Sequence, residues 1–219
     1  MLKFFGFDPG TIKAGWACID SDLFHHGSGL IQARAKDPIE KRLAKIDDDL
    51  TYHLLHHKPD IIVVEKAFYK KIPGKGNVLT TIRLGEARAV ALILAGRLGT
   101  PVLELAPASI KKAVTGKGNA SKALVGYWVA EQLHISQATD DNISDAQAVA
   151  FAGAYLFKQY EKLGSVLVET VKGIEAAIKE IIELGKKSCP KPRKRRSSYM
   201  RRWLIERNGK KSEPNESST

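Results

Sequence analysis

Apolar and polar positions alternate in short blocks along the first part of the chain, and this pattern predicts three neighbouring strands. The blocks are LKFFGF at 2–7, GWACID at 15–20 and SGLIQAR at 28–34. A turn containing Pro9 and Gly10 separates the first two blocks, and the next connection is also short. Three short strands joined by tight connections indicate an antiparallel meander.

Beyond the meander, the pattern changes to alternating helices and strands. Asp37 and Pro38 are suited to a helix cap and first turn, and apolar residues then recur at helical spacing at Ile39, Leu43, Ile46, Leu50 and Leu54. The β-branched run at 60–68 is typical of a buried central strand. Later predicted elements are a helix at 78–99, a strand at 101–105 and helices at 119–135 and 140–163. The order β-β-β-α-β-α-β-α-α predicts an α/β fold, a mixed five-stranded sheet flanked by helices.

The chain of 219 residues divides into one domain and an extension. The domain is predicted to span residues 1–164. Residues 165–185 form a predicted amphipathic helix, whose apolar stripe could pack on the domain or on a partner copy; packing on the domain is favoured. Residues 186–219 are expected to form a basic, flexible tail.

Positive charge is concentrated in this tail. The whole chain carries +11 at pH 7, residues 186–211 alone carry +11, and the final eight residues carry −2. Because residues 1–185 are nearly balanced, the tail is expected to bind a polyanion, most simply nucleic acid. An unstructured tail without a specific partner is the alternative. The candidate DNA-binding residues of the tail are Arg193, Arg195 and Arg196.

Composition argues against several other classes of protein. Hydrophobic residues make up 43% of the chain, yet no apolar run reaches the roughly 18–20 residues of a membrane span. The N-terminal run lacks the basic region and cleavage site of a signal peptide. With only Cys18 and Cys189, a disulfide framework is not expected. These features favour the reducing cytoplasm, with no membrane partner.

Three acidic residues occupy positions where a charge is costly. Asp8 ends the first strand, Glu65 ends the buried run IIVVE, and Asp145 begins a helix of small apolar residues. Each alone could be a turn former, a solvated strand end or a helix cap. Together they would repel one another unless divalent cations held them, and oxygen ligands suit Mg²⁺ or Mn²⁺. Two such ions roughly 3.5–4 Å apart can promote phosphodiester hydrolysis.

Four blocks occur in the order typical of one nuclease family. They are GFDPGTIKAGW, then VVEKAF with IRLGEARAVALILA, then LAPASIKKAVTGKGNASKALV, and last SDAQAVAFAGAY. Over roughly residues 1–160 the sequence resembles the RuvC family of Holliday-junction resolvases, in the RNase H-like superfamily. The resemblance implies an RNase H-like fold and a homodimeric, metal-dependent endonuclease. Such an enzyme resolves four-way DNA junctions by paired symmetric nicks in recombination and repair. The basic extension would mark a phage or otherwise divergent member.

The resemblance also implies the roles of individual residues. Asp8, Glu65 and Asp145 fall on the family's catalytic, metal-binding acids, which would hold two Mg²⁺ or Mn²⁺ ions. The family's fourth ligand is commonly an acid three residues before the last one, where this chain has Asn142. Asp141 lies one residue earlier, and either spacing shares a helical face with Asp145. Asn142 could be a neutral ligand, but the charged Asp141 is favoured.

Basic and aromatic residues near these acids are candidates for holding DNA. One basic group follows Glu65 and contains Lys66, Lys70, Lys71 and Lys75. A second precedes the last helix and contains Lys111, Lys112, Lys117 and Lys122. The resemblance places Lys111 and Lys122 near the scissile phosphate, with Lys122 in a catalytic role. Phe68, beside Tyr69, matches an aromatic residue that stacks on an unpaired base at the junction centre, although it could instead belong to the core.

The expected partners follow mainly from the resemblance. They are branched DNA, a second copy of the chain and branch-migration machinery. The helix at 79–100 is the candidate dimer interface, although it could pack only on its own sheet. The expected location is the cytoplasm, at the nucleoid or in a phage-infected bacterium. Two alternatives stay open: a non-catalytic branched-DNA-binding protein of the same fold, and an RNase H-like nuclease acting on flaps or RNA–DNA hybrids.

Overall fold

The structure, a computed structural model, describes residues 1–66 and 78–164. The strands are β1 (Lys3–Asp8), β2 (Lys13–Asp20), β3 (His25–Gln32), β4 (Ile61–Glu65) and β5 (Val102–Leu105). The helices are α1 (Ile39–His57), α2 (Val78–Leu98), α3 (Pro107–Thr115), α4 (Lys122–Leu133) and α5 (Asp141–Gly164).

The described strands form one mixed sheet in the order β3-β2-β1-β4-β5. β1 pairs antiparallel with β2, and β2 with β3, so the predicted meander is confirmed. β1 pairs parallel with β4, and β4 with β5. The predicted α/β fold with a mixed five-stranded sheet is likewise confirmed, and β1 lies at its centre.

The start of α1 differs from the prediction that Asp37 caps it. The N-cap is Pro38, which makes no side-chain capping bond; its carbonyl oxygen accepts the N–H groups of Lys41 and Arg42. The N–H of Asp37 instead donates to the carbonyl oxygen of Arg34, in a turn before the helix. The prolyl ring holds Pro38 at φ −63° with extended ψ 157°, so the helix begins one residue later than expected.

The structure contains a helix, α3, that the sequence pattern did not predict. Pro107 stands at its first turn, where the fixed φ of proline suits a helix, and its buried residues include Ile110 and Val114. Gly116 ends it in the left-handed conformation, at φ 75°. Because α3 has only nine residues, the proline and glycine at its ends were the clearest signals available.

Side chains alternate between the two faces of the sheet, and a separate layer of helices covers each face. Phe5 and Phe7 of β1 pack with Val64 of β4 in a cluster that α1 and α2 complete. On the other face, Phe4 and Val63 pack with residues of α3, α4 and α5. The sheet is therefore buried on both sides, which is why its strands are apolar along most of their length.

Glycines allow α5 to lie directly against the sheet. A Cβ on Gly6 would lie 2.4 Å from the carbonyl oxygen of Ala146 and 2.4 Å from the amide nitrogen of Ala150. A Cβ on Gly15 would lie 1.8 Å from the carbonyl oxygen of Asn142. No side chain could occupy that space, so the first turns of α5 are held against β1 and β2.

Two predicted segments lie outside the described residues. One is the segment at 67–77, which contains the candidates Phe68, Tyr69, Lys70, Lys71 and Lys75. The other follows residue 164 and comprises the predicted helix at 165–185 and the predicted tail at 186–219, with Arg193, Arg195 and Arg196. The domain boundary at residue 164 accordingly stays a prediction. Within residues 1–66 and 78–164, no helix is long and apolar enough to span a membrane.

Candidate active site

Strand register places two carboxylates side by side on one face of the sheet. Phe7 of β1 pairs with Val64 of β4, and Asp8 and Glu65 each follow that pair by one residue. Phe7 and Val64 point toward α1 and α2. Because strand side chains alternate, Asp8 and Glu65 point to the opposite face, toward α5.

α5 supplies the third carboxylate. Asp140 caps this helix: its Oδ1 accepts the N–H of Asn142 at 2.9 Å, and its carbonyl oxygen accepts the N–H groups of Ile143 and Ser144. Asp145 lies one turn further on, beside the place where Gly15 brings α5 onto the sheet. The cap and the glycine contact together position the carboxylate of Asp145.

Asp8, Glu65 and Asp145 line one cavity of about 430 Å³ at the ends of β1 and β4. The cavity lies between the two helical layers, because α2 forms one wall while α3, α4 and α5 form the other. Among the residues that the structure describes, four cationic side chains line the same cavity, namely those of Lys66, Arg88, Lys111 and Lys122. An acidic centre with basic walls is suited to a substrate that carries negative charge.

Burial and mutual repulsion perturb the acids of the cavity. Burial, reinforced by the charges of Asp145 and Glu65, raises the pKa of Asp8 to about 7, against the opposing effect of Lys122. Burial and then the charge of Asp145 also raise the pKa of Glu65. Carboxylates with raised pKa values in a cavity are typical of functional sites.

Lys122 forms an ion pair inside this cavity. Its Nζ donates to Oδ2 of Asp145 at 2.6 Å. That hydrogen bond, with the charges of Asp145 and Asp8, raises the pKa of Lys122. Ser121 caps α4 by accepting the N–H of Leu124 at 3.3 Å, which fixes the backbone from which Lys122 extends. Lys122 thus neutralises part of the acidic cluster.

The acidic cluster fits a divalent metal ion in ligand type and charge. In the part of the chain that the structure describes, no three His, Cys, Asp or Glu side chains are grouped closely enough to hold a metal ion as they stand. Repulsion between carboxylates favours such separation, and Lys122 already occupies one oxygen of Asp145. The donors are carboxylate oxygens, which Mg²⁺ and Mn²⁺ prefer, and a cation would favour their ionised forms.

The two candidates for a fourth ligand make different contacts. Asn142 donates from Nδ2 to Oδ1 of Asp140 at 2.7 Å, so its amide takes part in capping α5. Asp141 is exposed, and its charge acts on Lys122. These contacts favour Asp141 over Asn142 as a ligand, and the assignment stays a prediction.

The predicted DNA-binding lysines of the second group stand at different distances from the acids. Lys111 lines the cavity and donates from Nζ to the carbonyl oxygen of Ala120 at 2.7 Å, which ties α3 to the loop before α4. Lys112 and Lys117 are exposed and lie outside the cavity lining. Lys111 therefore has a structural contact in addition to any role in binding DNA.

The cavity also contains residues that sequence reasoning did not single out. Thr81, Leu84 and Arg88 share one face of α2 and line the cavity. Arg88 donates from Nη2 to Oε1 of Glu104 on β5 at 2.5 Å. Their spacing along α2 could have predicted a shared face. It could not show that this face borders the acids, since apolar residues occur on several sides of α2.

Solved structures of similar architecture identify the class of fold. A structure of Thermus thermophilus RuvC in complex with a Holliday junction substrate aligns with a TM-score of 0.65 and 21% identity, over 73% of this chain and 96% of that one. The yeast mitochondrial Holliday junction resolvase aligns with a TM-score of 0.54 and 14% identity, over 76% of this chain and 85% of that one. The fold is therefore RNase H-like.

Sequence similarity identifies the family. The family described as crossover junction endodeoxyribonuclease RuvC matches residues 4–153. The protein of that name from Carboxydothermus hydrogenoformans is 37% identical over 76% of this chain and 100% of its own length. That from Parvibaculum lavamentivorans is 32% identical over 78% of this chain and 97% of its own length. The chain belongs to the RuvC family, whose members are crossover junction endodeoxyribonucleases.

Proposed function

We propose that this protein resolves four-way DNA junctions by cutting two strands of like polarity symmetrically. The observation that carries the proposal is the cavity in which Asp8, Glu65 and Asp145 meet between basic walls. Relatives that the chain covers almost completely are named for crossover junctions. A similar structure holds a Holliday junction substrate.

The acids of the cavity are proposed to hold divalent ions, on which RuvC nucleases generally depend. Asp8, Glu65 and Asp145 are the proposed ligands for two Mg²⁺ or Mn²⁺ ions, with Asp141 as the fourth. When bound, such ions activate water and stabilise the leaving oxygen of a phosphodiester. Lys122 extends into the same cavity, where the N–H groups of its ammonium that Asp145 does not use can offset negative charge on the phosphate.

A labelled synthetic four-way junction with Mg²⁺ tests this function. We expect paired nicks at symmetric positions, and Asp8→Asn should lower the cleavage rate at least about 100-fold while junction binding persists. Asp22→Asn is the matched control, because Asp22 is exposed near the opposite end of the sheet and should cut normally. Binding without cleavage in Mg²⁺ or Mn²⁺ would identify a non-catalytic junction-binding protein. Preference for flaps or RNA–DNA hybrids would point to the other alternative.

The fourth ligand can be tested in the same assay. Asp141→Ala should raise the Mg²⁺ concentration needed for half-maximal cleavage more than Asn142→Ala, because a carboxylate binds a divalent cation better than an amide. The Asn142 variant should mainly lower the melting temperature, since its side chain joins the helix cap. A reversed ranking of the two metal requirements would assign the ligand to Asn142.

A two-fold dimer is proposed because a junction with two-fold symmetry needs two active sites. The outward side of α2 supports this proposal: Ile82 and Ile93 are each 51% exposed, and a Cβ on Gly85 would meet no other described element within 4 Å. Ile82→Glu with Ile93→Glu should shift sedimentation from dimer to monomer and replace paired nicks by single ones. A wild-type monomer that still makes paired nicks would refute the dimer.

The remaining predicted partners rest on sequence alone. Phe68 and Tyr69 as junction-stacking residues, Lys70 and Lys71 as phosphate contacts, and the arginines of the tail are proposed DNA contacts. Removing residues 186–219 should flatten the dependence of DNA affinity on salt concentration, because fewer counterions would be released. An unchanged slope would show that the tail does not touch DNA. Branch-migration machinery and a cytoplasmic location stay predictions.

A further inference from the structure

Arg88 supplies positive charge to the acidic cavity from a different direction than the lysines. Lys111 and Lys122 belong to α3 and α4, which cover the α5 face of the sheet. Arg88 belongs to α2, in the layer on the opposite face, yet it lines the same cavity. Among the described residues that line the cavity, Arg88 is the cation that the layer of α1 and α2 contributes. A strand of DNA in the cavity would therefore have cations on both sides.

Glu104 holds Arg88 at the cavity wall. On β5, Leu103 and Leu105 pack toward the α5 face and Val102 toward α1 and α2, so alternation directs Glu104 toward α2. Its Oε1 accepts from Nη2 of Arg88 at 2.5 Å. The side chain of Arg88 is mostly covered, being 20% exposed. Nε of Arg88 is buried without a hydrogen-bond partner among the described residues, an arrangement that calls for a functional or structural reason.

The anchor makes Arg88 behave differently from Lys122. Lys122 pairs directly with Asp145, so part of its charge is already neutralised within the acidic cluster before a substrate binds. Arg88 is paired outside the acidic cluster, with Glu104. Because a guanidinium has five N–H groups, Arg88 has further donors for a ligand. A planar fork of donors is suited to two oxygens of one phosphate.

The geometry points to Arg88 as a phosphate-binding residue of the cleavage site, with Glu104 as its positioning residue. This inference rests on the proposed function and extends it. The ligand is a phosphate of the DNA strand being cut. Arg88 binds it from the α2 side, and Lys111 and Lys122 lie on the opposite side of the cavity. Glu104 keeps the guanidinium away from Asp8 and Glu65, where it would compete with cations for the carboxylates.

A scan of the junction with single methylphosphonate linkages tests Arg88, because each one removes the charge of one phosphate. In the wild type, one position near the cut should lower kcat/KM roughly 10- to 100-fold, as expected for loss of a charged hydrogen bond. Arg88→Gln should show a similar loss with the unmodified junction and no further loss at that position. Arg97→Gln, also on α2 but outside the cavity lining, is the matched control and should respond like the wild type.

Two further variants keep the test decisive. If Arg88→Gln does not fold, Arg88→Lys is scanned instead, and its penalty at that position should be smaller than that of the wild type. Glu104→Gln should lower kcat several-fold, and adding it to Arg88→Gln should cause no extra loss, because it acts through Arg88. Equal methylphosphonate penalties in the wild type and both Arg88 variants would overturn the inference.

A binding measurement separates this inference from the proposed function. If the wild type binds junctions without cutting them, the proposed function fails. The contact between Arg88 and a phosphate can still be tested by binding alone. Arg88→Gln should then reduce the slope of log affinity against log salt by about one, whereas Arg97→Gln should not. An unchanged slope would reject the contact whether or not the protein cuts DNA.

Discussion

The two faces of the sheet are built on different principles. On the α5 face, Gly6 and Gly15 let helix backbone rest on strand backbone, and the neighbouring helix residues are small. On the face of α1 and α2, large side chains fill the space: Phe5 stacks on Trp16 with ring centroids 5.8 Å apart, and Trp16 stacks on His53 at 4.0 Å. The α5 face thus combines a close backbone contact with an apolar cluster that includes Phe4 and Phe151, while large side chains fill the other face at β1 and β2.

This difference matches the different tasks of the two faces. Asp8 and Asp145 lie beside the close contacts of Gly6 and Gly15 with α5, so these contacts help to set the separation of the two carboxylates. The large side chains of the other face are buried from water, and such burial is the main source of folding stability. We therefore expect substitutions on the first face to affect cleavage most, and substitutions on the second to affect stability.

The largest effect is expected at Gly15, where any side chain must push α5 away. Gly15→Ala would place a Cβ 1.8 Å from the carbonyl oxygen of Asn142, so the helix must shift and carry Asp145 with it. We expect cleavage to fall at least about 100-fold, since a displacement of about 1 Å can cost that much. The measurement is single-turnover junction cleavage, with folding checked by circular dichroism.

Gly126→Ala provides the matched control for Gly15. In α4 a Cβ would meet Ser144 at 3.6 Å, an ordinary contact, and alanine favours helix over glycine. This variant should cut junctions normally and melt at the same temperature or higher. If Gly15→Ala cut as fast as Gly126→Ala, the close packing of α5 would not set the geometry of the acids.

The second-largest effect is expected on the face of α1 and α2, where a core substitution should lower stability but not activity. Leu50 of α1 is fully buried in the cluster with Phe5 and Trp16. Leu50→Ala should cost about 2–5 kcal/mol of unfolding free energy, the range for such core truncations. Its kcat, measured well below the melting temperature, should stay within about two-fold of the wild type, because the acids lie on the other face. A loss of kcat as large as that of Gly15→Ala would abolish the distinction between the faces.

The third prediction concerns pH. The folded protein holds the pKa of Asp8 at about 7, raised from 3.8, so between these values the unfolded chain binds fewer protons than the folded one. The free energy of unfolding of chelator-treated protein should therefore fall as pH rises from about 4 to 7 and level off above that. Since one pKa unit corresponds to about 1.4 kcal/mol, this rise of about 3 units makes the fall of order 4 kcal/mol.

Asp8→Asn isolates the contribution of Asp8 to this pH dependence. The difference between wild-type and variant unfolding curves removes the titration of other groups and should retain the fall. Glu65 contributes in the same direction, because burial raises its pKa too. Identical pH profiles for the two proteins would show that Asp8 is not held at a raised pKa.

The smallest effect is expected at the cap of α5. Asp140 accepts the N–H of Asn142 and pairs with Lys13 at 2.7 Å, joining the helix to the start of β2. Asp140→Ala should lower the melting temperature by roughly 2–4 °C and slow cleavage a few-fold, as α5 becomes less firmly placed. Asp140→Asn keeps a capping oxygen and should lose much less. Equal losses in both variants would assign the effect to the ion pair with Lys13 instead.

Most of the fold could be predicted because periodicity reports burial directly. The apolar block of β1 and the β-branched run of β4 required strands, and helical spacing from Ile39 to Leu54 required α1. The errors lie where local signals compete. Pro38 took the cap position from Asp37, and α3 was too short for its period to stand out against its lysines.

Of the candidate site, the sequence could predict mainly the pair of acids at the ends of β1 and β4. Asp8 and Glu65 end apolar runs on neighbouring strands, which places them together without further information. The ion pairs of Lys122 with Asp145 and of Arg88 with Glu104 join residues 23 and 16 positions apart on different elements. Which helix faces meet depends on how α2 and α4 pack, and a single sequence does not encode that packing in any short pattern.

Alternation along β4 limits how such a chain can change in length over evolution. One residue inserted into this strand would turn Glu65 onto the face of α1 and α2, and the acid pair with Asp8 would be lost. Two inserted residues would restore the face but move the carboxylate about 7 Å along the strand. Insertions and deletions in related sequences should therefore accumulate in the connections between elements, while the lengths of β1 and β4 stay constant.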